Sequence, residues 1–201
     1  EGVTVKWPND VYVGERKISG ILIEHRVAGA HIQSSLCGIG VNINQEQFLS
    51  DAPNPVSLFQ LLGRELPLQE VLEELLECIG KRYEQIHRYA ELENDFLRHM
   101  YRSTGIYDFE DERGIFRASV GGIDEYGQLI LKDTDGRERV YAFKEVRYVC
   151  CFLLYVAVLC FQLLYRVYSG KAGYGLINTS LTLISLSFRI LSTGEVICFQ
   201  D

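Results

Sequence analysis

The strongest constraint on this chain is a turn within its first ten residues. Val3, Thr4 and Val5 read as a strand, and Lys6-Trp7-Pro8-Asn9-Asp10 follows directly. Pro8 lacks an N–H for a sheet ladder and fixes φ, while Asn9 and Asp10 are turn residues, so the strand must stop there. The turn leaves a lysine at a strand end. Its compact ammonium acts as a point charge and suits a carboxylate or phosphate. The competing reading is a solvated lysine beside a β-turn, which describes most lysines.

Residues 11–44 read as β-rich. Val11-Tyr12-Val13 is a short apolar run, Gly14-Glu15-Arg16 turns the chain, and residues 17–24 form a second strand, which makes a hairpin. Gly20 interrupts that strand and points to a bulge or a close backbone approach. A third strand spans residues 30–44 and contains Gly38-Ile39-Gly40-Val41-Asn42. Alternate residues of a strand share a face. Gly38 and Gly40 therefore leave either a slot for a flat ligand or a surface packed tightly on a helix. Asn42 comes next on that face and can both donate and accept hydrogen bonds. No P-loop or Rossmann signature is present.

The spacing predicts a short helix over 57–63, stopped by Gly63, and a long amphipathic helix from Pro67. Leu68, Val71, Leu72, Leu75, Leu76, Ile79, Tyr83, Ile86 and Ala90 follow a three-to-four residue period, a stripe expected to pack on the sheet. The helix continues or restarts through Leu92, Phe96, Leu97 and Met100. From Tyr107 to Val149 short strands alternate with Gly or Asp turns, as in a small SH3-like barrel.

Composition bounds the function. The 201 residues are 47% apolar and 23% charged, as in a globular protein, and the net charge of −7 with no basic cluster supports no nucleic-acid partner. No Cys-x-x-Cys pair exists, and His25, His31, His87 and His99 do not form a ligand-spaced set with the cysteines, so no metal site is expected. Cys37 is expected to be a small core residue. The chain opens with Glu1 inside a strand, as a fragment of something longer would. Residues 150–201 differ from the rest. They hold four of the six cysteines and no proline, and residues 149–165 are almost wholly apolar, just long enough to cross a bilayer. A translated read-through, a membrane anchor and an added buried element are the competing readings. Cytoplasmic location is the default, with membrane association through 150–201 as the alternative.

Three motifs, in this order and with these separations, resemble biotin protein ligases: Lys6-Trp7-Pro8-Asn9-Asp10, Lys17-Ile18-Ser19-Gly20-Ile21-Leu22-Ile23-Glu24, and Gly38-Ile39-Gly40-Val41-Asn42. Gly122-Ile123-Asp124-Glu125-Tyr126-Gly127-Gln128-Leu129 resembles part of the family's C-terminal domain. The resemblance covers about residues 1–149. It implies an α+β fold: a mixed sheet of a class II synthetase-like catalytic domain over 1–104, truncated at its N-terminus, then an SH3-like barrel over 105–149 and the apolar tail 150–201. It also implies ATP-dependent formation of biotinyl-5′-AMP and transfer of biotin to a lysine of a biotin carboxyl carrier protein, with Mg²⁺ accompanying ATP.

By motif position Lys6 would be catalytic and contact the biotin carboxylate and the adenylate phosphate. Val11, Gly38, Gly40 and Asn42 would join it in biotin or adenylate binding, and Lys17 would lie nearer the acceptor. Trp7 is expected to pack beside the sheet and Asp10 to bond the turn backbone, with metal ligation by Asp10 as the lesser alternative. The family often pairs through its sheet, which adds a second copy as a partner. A lipoate ligase fits less well. The family's Gly/Arg-rich loop does not precede Lys6, so little ligase activity is expected of this chain alone, and a non-catalytic biotin- or carrier-binding module is the alternative.

Overall fold

The computed structural model describes residues 2–29, 31–49 and 54–149, together with the backbone of strands 183–191 and 196–200. It divides into two units. One takes the chain up to Tyr101 with the two C-terminal strands, and the other begins at Arg102.

The first unit is built on a sheet of order β1-β2-β3-β4-β10-β11. Its strands are β1 (Val3–Lys6), β2 (Asp10–Val13), β3 (Arg16–Ala28), β4 (His31–Asn42), β10 (Leu183–Leu191) and β11 (Val196–Gln200). The mixed sheet expected from the sequence is corrected here: every strand pair in it is antiparallel. Short turns join β1 through β4, and such turns can only make hairpins, since parallel neighbours need a long crossover. Parallel pairing among the described residues is confined to two isolated bridges, Val5 with Met100 and Lys17 with Pro55. The bulge suggested by Gly20 lies just beside it, where β2 and β3 shift register between Val11 and Tyr12.

Helix α1 (Leu58–Leu62) has the start and stop its sequence carries. Ser57 and Gln60 form a capping box, and Gly63 closes the helix at a φ of 69°. Of the two readings of the long helix, the restart holds, and it falls earlier than the apolar stripe suggests: α2 (Leu68–Tyr83) is followed by α3 (Tyr89–His99). The chain tightens between them, with i→i−3 bonds from Gln85 to Arg82, Ile86 to Tyr83 and Arg88 to Gln85. An ion pair of 2.8 Å between Arg82 and Asp95 links the two helices. On α2, Leu72, Leu75, Leu76 and Ile79 pack against Cys37 and Ile39 of β4, so this stripe is core, as expected. After α3 the chain returns to β1, where the Tyr101 N–H donates to the Val5 carbonyl at 2.8 Å.

The second unit holds a five-stranded antiparallel sheet, order β8-β7-β6-β5-β9. Its strands are β5 (Tyr107–Asp111), β6 (Gly114–Ile123), β7 (Leu129–Asp133), β8 (Glu138–Tyr141) and β9 (Arg147–Tyr148). Phe109, Ala118, Leu129 and Leu131 are fully buried in it. The turn at Asp133 to Gly136 forms as its composition predicts: the Asp133 carboxylate accepts from the N–H groups of Asp135 and Arg137.

Of the C-terminal 52 residues, the described strands extend the first sheet, with Leu183 opposite Asn42 and Leu191 opposite Ser34. The apolar stretch 150–165, on which the membrane reading turns, lies outside the described residues. No helix among the described residues is long and apolar enough to cross a membrane.

Candidate active site

Register converts the three separate motifs into one row. Residues directly opposite each other in an antiparallel pair point to the same face. Lys6 lies opposite Asp10, Asp10 opposite Gly20, and Gly20 opposite Gly40. The row thus runs across four strands and draws one member from each strand of β1 through β4. Gly38 is on the same face opposite Leu22, and Asn42 follows Gly40 by two. Cys37 and Ile39 alternate with the glycines and carry helix α2 on the other face. The glycines are therefore not a packing device for that helix. A Cβ built on Gly40 would meet nothing within 4 Å among the described residues.

The turn that ends β1 is pinned to β3. Asn9 donates its side-chain amide to the Ile21 carbonyl at 2.5 Å and accepts the Ile21 N–H on its own carbonyl at 2.8 Å. The Trp7–Pro8 peptide is cis and Trp7 is buried, as expected for a residue packed beside the sheet. Asp10 does something other than the expected bond to the turn backbone. Its carboxylate meets the Lys17 ammonium at 2.6 Å, because the shift at the Val11–Tyr12 bulge brings Lys17 level with Tyr12. This pair lies directly above Gly20, where an added Cβ would stand 3.2 Å from Lys17 Nζ and 3.3 Å from Asp10 Oδ1. Gly20 is thus the close approach its place in a strand suggests.

Lys17 therefore sits at the row itself. Its backbone is held by the loop that follows β4, since its N–H donates to Asn54 and its carbonyl accepts from Val56. Asn42 reaches the same loop, donating to the Val56 carbonyl at 3.1 Å. Val11 is not brought into the row. It pairs with Val5 and Ser19, one step out of phase with Lys6 and Gly20, so its side chain belongs to the opposite face.

Lys6 rests against two aromatic residues that the sequence did not single out. Its Nζ donates to the Tyr12 hydroxyl at 3.1 Å and lies 4.7 Å from the Tyr12 ring centroid and 5.7 Å from that of Tyr101. The two rings are 5.3 Å apart, and both residues are buried. The Tyr101 hydroxyl donates to the Glu15 carboxylate. Alternation could have found Tyr12, which pairs with Thr4 on the face of Lys6. Tyr101 has no such signal. Behind the row, burial pushes the Cys37 thiol up, which favours the neutral form and agrees with a core role. No group of three or more His, Cys, Asp or Glu side chains with metal-binding geometry occurs among the described residues.

Chemically, the face combines a fixed cation, a second cation neutralised by Asp10, and a glycine-floored strip where backbone can meet a flat group. Such an arrangement can receive an anionic, planar group. The antiparallel sheet backed by helices matches that of a ligase. The apo structure of biotin protein ligase from Aquifex aeolicus superposes with a TM-score of 0.56 at 24% identity, over 73% of this chain and 66% of that one. The same enzyme in complex with biotin and ATP gives 0.56 at 24% identity, over 73% and 62%. Residues 1–42 match the model of the biotin/lipoate A/B protein ligase family.

A bifunctional ligase/repressor BirA of Bacillus subtilis (strain 168) is 30% identical over 146 residues, which is 69% of this chain and 44% of that protein. A biotin–[acetyl-CoA-carboxylase] ligase of Paracoccus denitrificans is 31% identical over 153 residues, 70% of this chain and 61% of the relative. Together these matches support a biotin protein ligase. The chain spans about half the length of the curated relatives it matches.

Proposed function

We propose that this chain carries the carboxylate- and phosphate-contacting side of a biotin ligase site. The site joins biotin to ATP, giving biotinyl-5′-AMP and pyrophosphate, and passes the biotinyl group to a lysine of a biotin carboxyl carrier protein in the cytoplasm. The observation that supports this most is the row Lys6, Asp10, Gly20, Gly40, with Gly38 and Asn42 beside it. In this reading Lys6 faces the biotin carboxylate and the α-phosphate, where negative charge accumulates as the two anions react. A preorganised cation offsets that charge, and Mg²⁺ carried by ATP shares the task. Gly38 and Gly40 let the ligand approach the backbone. Asn42 holds the loop at Val56, Val11 contributes backbone only, and Lys17 with Asp10 forms the rim met by the acceptor. The second unit is read as the family's SH3-like domain.

Among the described residues the face is open at Leu22, which lies opposite Gly38 and is 63% exposed. An open site holds water against the adenylate, so turnover by the 201-residue chain alone should be slow. A biotinylation assay with a purified carrier domain tests both parts. Trace biotin transfer that disappears in Lys6→Ala is expected. Transfer unchanged by that substitution would remove Lys6 from the chemistry, and rapid turnover would refute the slow-chain part.

A further inference from the structure

We propose that Tyr12 and Tyr101 form a shelf that fixes the Lys6 ammonium in place, which makes them positioning residues of the site proposed above; the inference rests on that site. A lysine has a flexible four-carbon stem, so an unguided ammonium samples many places, and a transition state benefits only from a charge already in position. Here the position is set by buried groups. The Tyr12 oxygen accepts from Nζ at 3.1 Å, and the ring faces of Tyr12 and Tyr101 attract the cation at 4.7 and 5.7 Å.

Each ring is held in turn. Both residues are only 4% exposed and lie against one another. Tyr101 is fastened at both ends: its N–H donates to the carbonyl of Val5, the residue before Lys6, and its hydroxyl donates to Glu15 beyond β2. The shelf thus ties the end of helix α3 to the strand that carries the lysine.

The test uses the full chain and two readouts. In the first, lysines are reductively methylated with ¹³C and the Lys6 resonance is assigned by its loss in Lys6→Arg. Ring shielding of that resonance relative to exposed Lys81 is expected, retained in Tyr12→Phe and lost in Tyr12→Leu. An unshielded Lys6 overturns the shelf. The second is calorimetric titration with the non-hydrolysable sulfamoyl analogue of biotinyl-5′-adenylate.

Lys6→Ala should weaken binding about a hundred-fold. Tyr12→Phe should weaken it about ten-fold, the scale of a lost hydrogen bond to a charged group. The double variant should bind no more weakly than Lys6→Ala, because Tyr12 acts through Lys6. Multiplying effects would make Tyr12 a merely structural residue and overturn its positioning role. Lys6→Ala binding like the wild type overturns the site itself and the positioning role with it, and shielding present in that case assigns the failure to the site.

Discussion

The two sheets use charge in opposite ways. In the smaller unit the charges close on one another. The Arg139 guanidinium lies 4.3 Å over the Phe116 ring and meets Asp133 at 3.0 Å and Asp111 at 3.5 Å, while the Tyr141 hydroxyl donates to Asp111 at 2.7 Å. Arg147 pairs with Glu110 at 2.6 Å. A cleft of about 840 Å³ is lined by Glu110, Asp111, Arg139, Tyr141 and Arg147 among others, and the partners of these five lie within the unit. In the larger sheet the row from Lys6 to Gly40 is only half-buried among the described residues, and Leu22 beside it is exposed. Ionic density alone therefore does not mark a site. The cleft has a densely charged lining, yet its charges serve to hold the strands of its own unit together. The chemistry fits the face where a cation, a glycine floor and accessible backbone coincide.

Several substitutions put that contrast to the test. The largest effect on folding belongs in the small unit: Phe109→Ala, at a fully buried position, should cost about 3–5 kcal/mol, read as a lost or lowered melting transition. Gly40→Leu should do the opposite. With nothing within 4 Å of its Cβ among the described residues, it should move the melting temperature little and abolish binding of the adenylate analogue. A large loss of stability there would show that the strip is packed rather than open. Gly20→Ala is expected to be intermediate, weakening ligand binding several-fold by displacing the Lys17–Asp10 pair rather than by unfolding.

Depressed carboxylates gather in the small unit, although Asp95 of α3 is also lowered by its hydrogen bond from Arg82. The Tyr141 hydroxyl holds the Asp111 carboxyl below its usual range, and the Arg137 N–H does the same for Asp133. Both folded pKa values are depressed. Their contribution is thus complete above the unfolded value of about 4 and is lost as pH falls through the folded ones. Acid melts followed by the fluorescence of a tryptophan placed in that unit should show this loss, and Asp133→Asn should flatten it. The smallest effect is Ser57→Ala, which removes one half of a capping box and should cost about 1 kcal/mol by chemical denaturation.

Local signals were legible in the sequence and non-local ones were not. The turn at Pro8, the Gly63 stop and the Asp133 turn each act within a few residues, and each formed as read. The apolar stripe of α2 was legible because its period is a property of one helix. The break at Glu84–Arg88 was not, since the apolar pattern continues across it and the tightened turns carry no Gly or Pro.

The candidate site lay between these cases. Its motifs were readable, but the face they share depends on register across four strands and on one bulge. A bulge moved by one residue would send Lys17 away from Asp10. Tyr101, 95 positions after Lys6, joins it only through the return of the chain to β1.

The central claim is that the face bearing Lys6, Gly20, Gly38 and Gly40 is where the ligand lies. Amide chemical-shift mapping of the ¹⁵N-labelled full chain, titrated with the sulfamoyl analogue of biotinyl-5′-adenylate, tests it most directly. The largest shifts should fall on Lys6, Gly20 and residues 38–42. Shifts centred on the charged cleft between Glu110 and Arg147, or on the α2 side of the sheet, would contradict it.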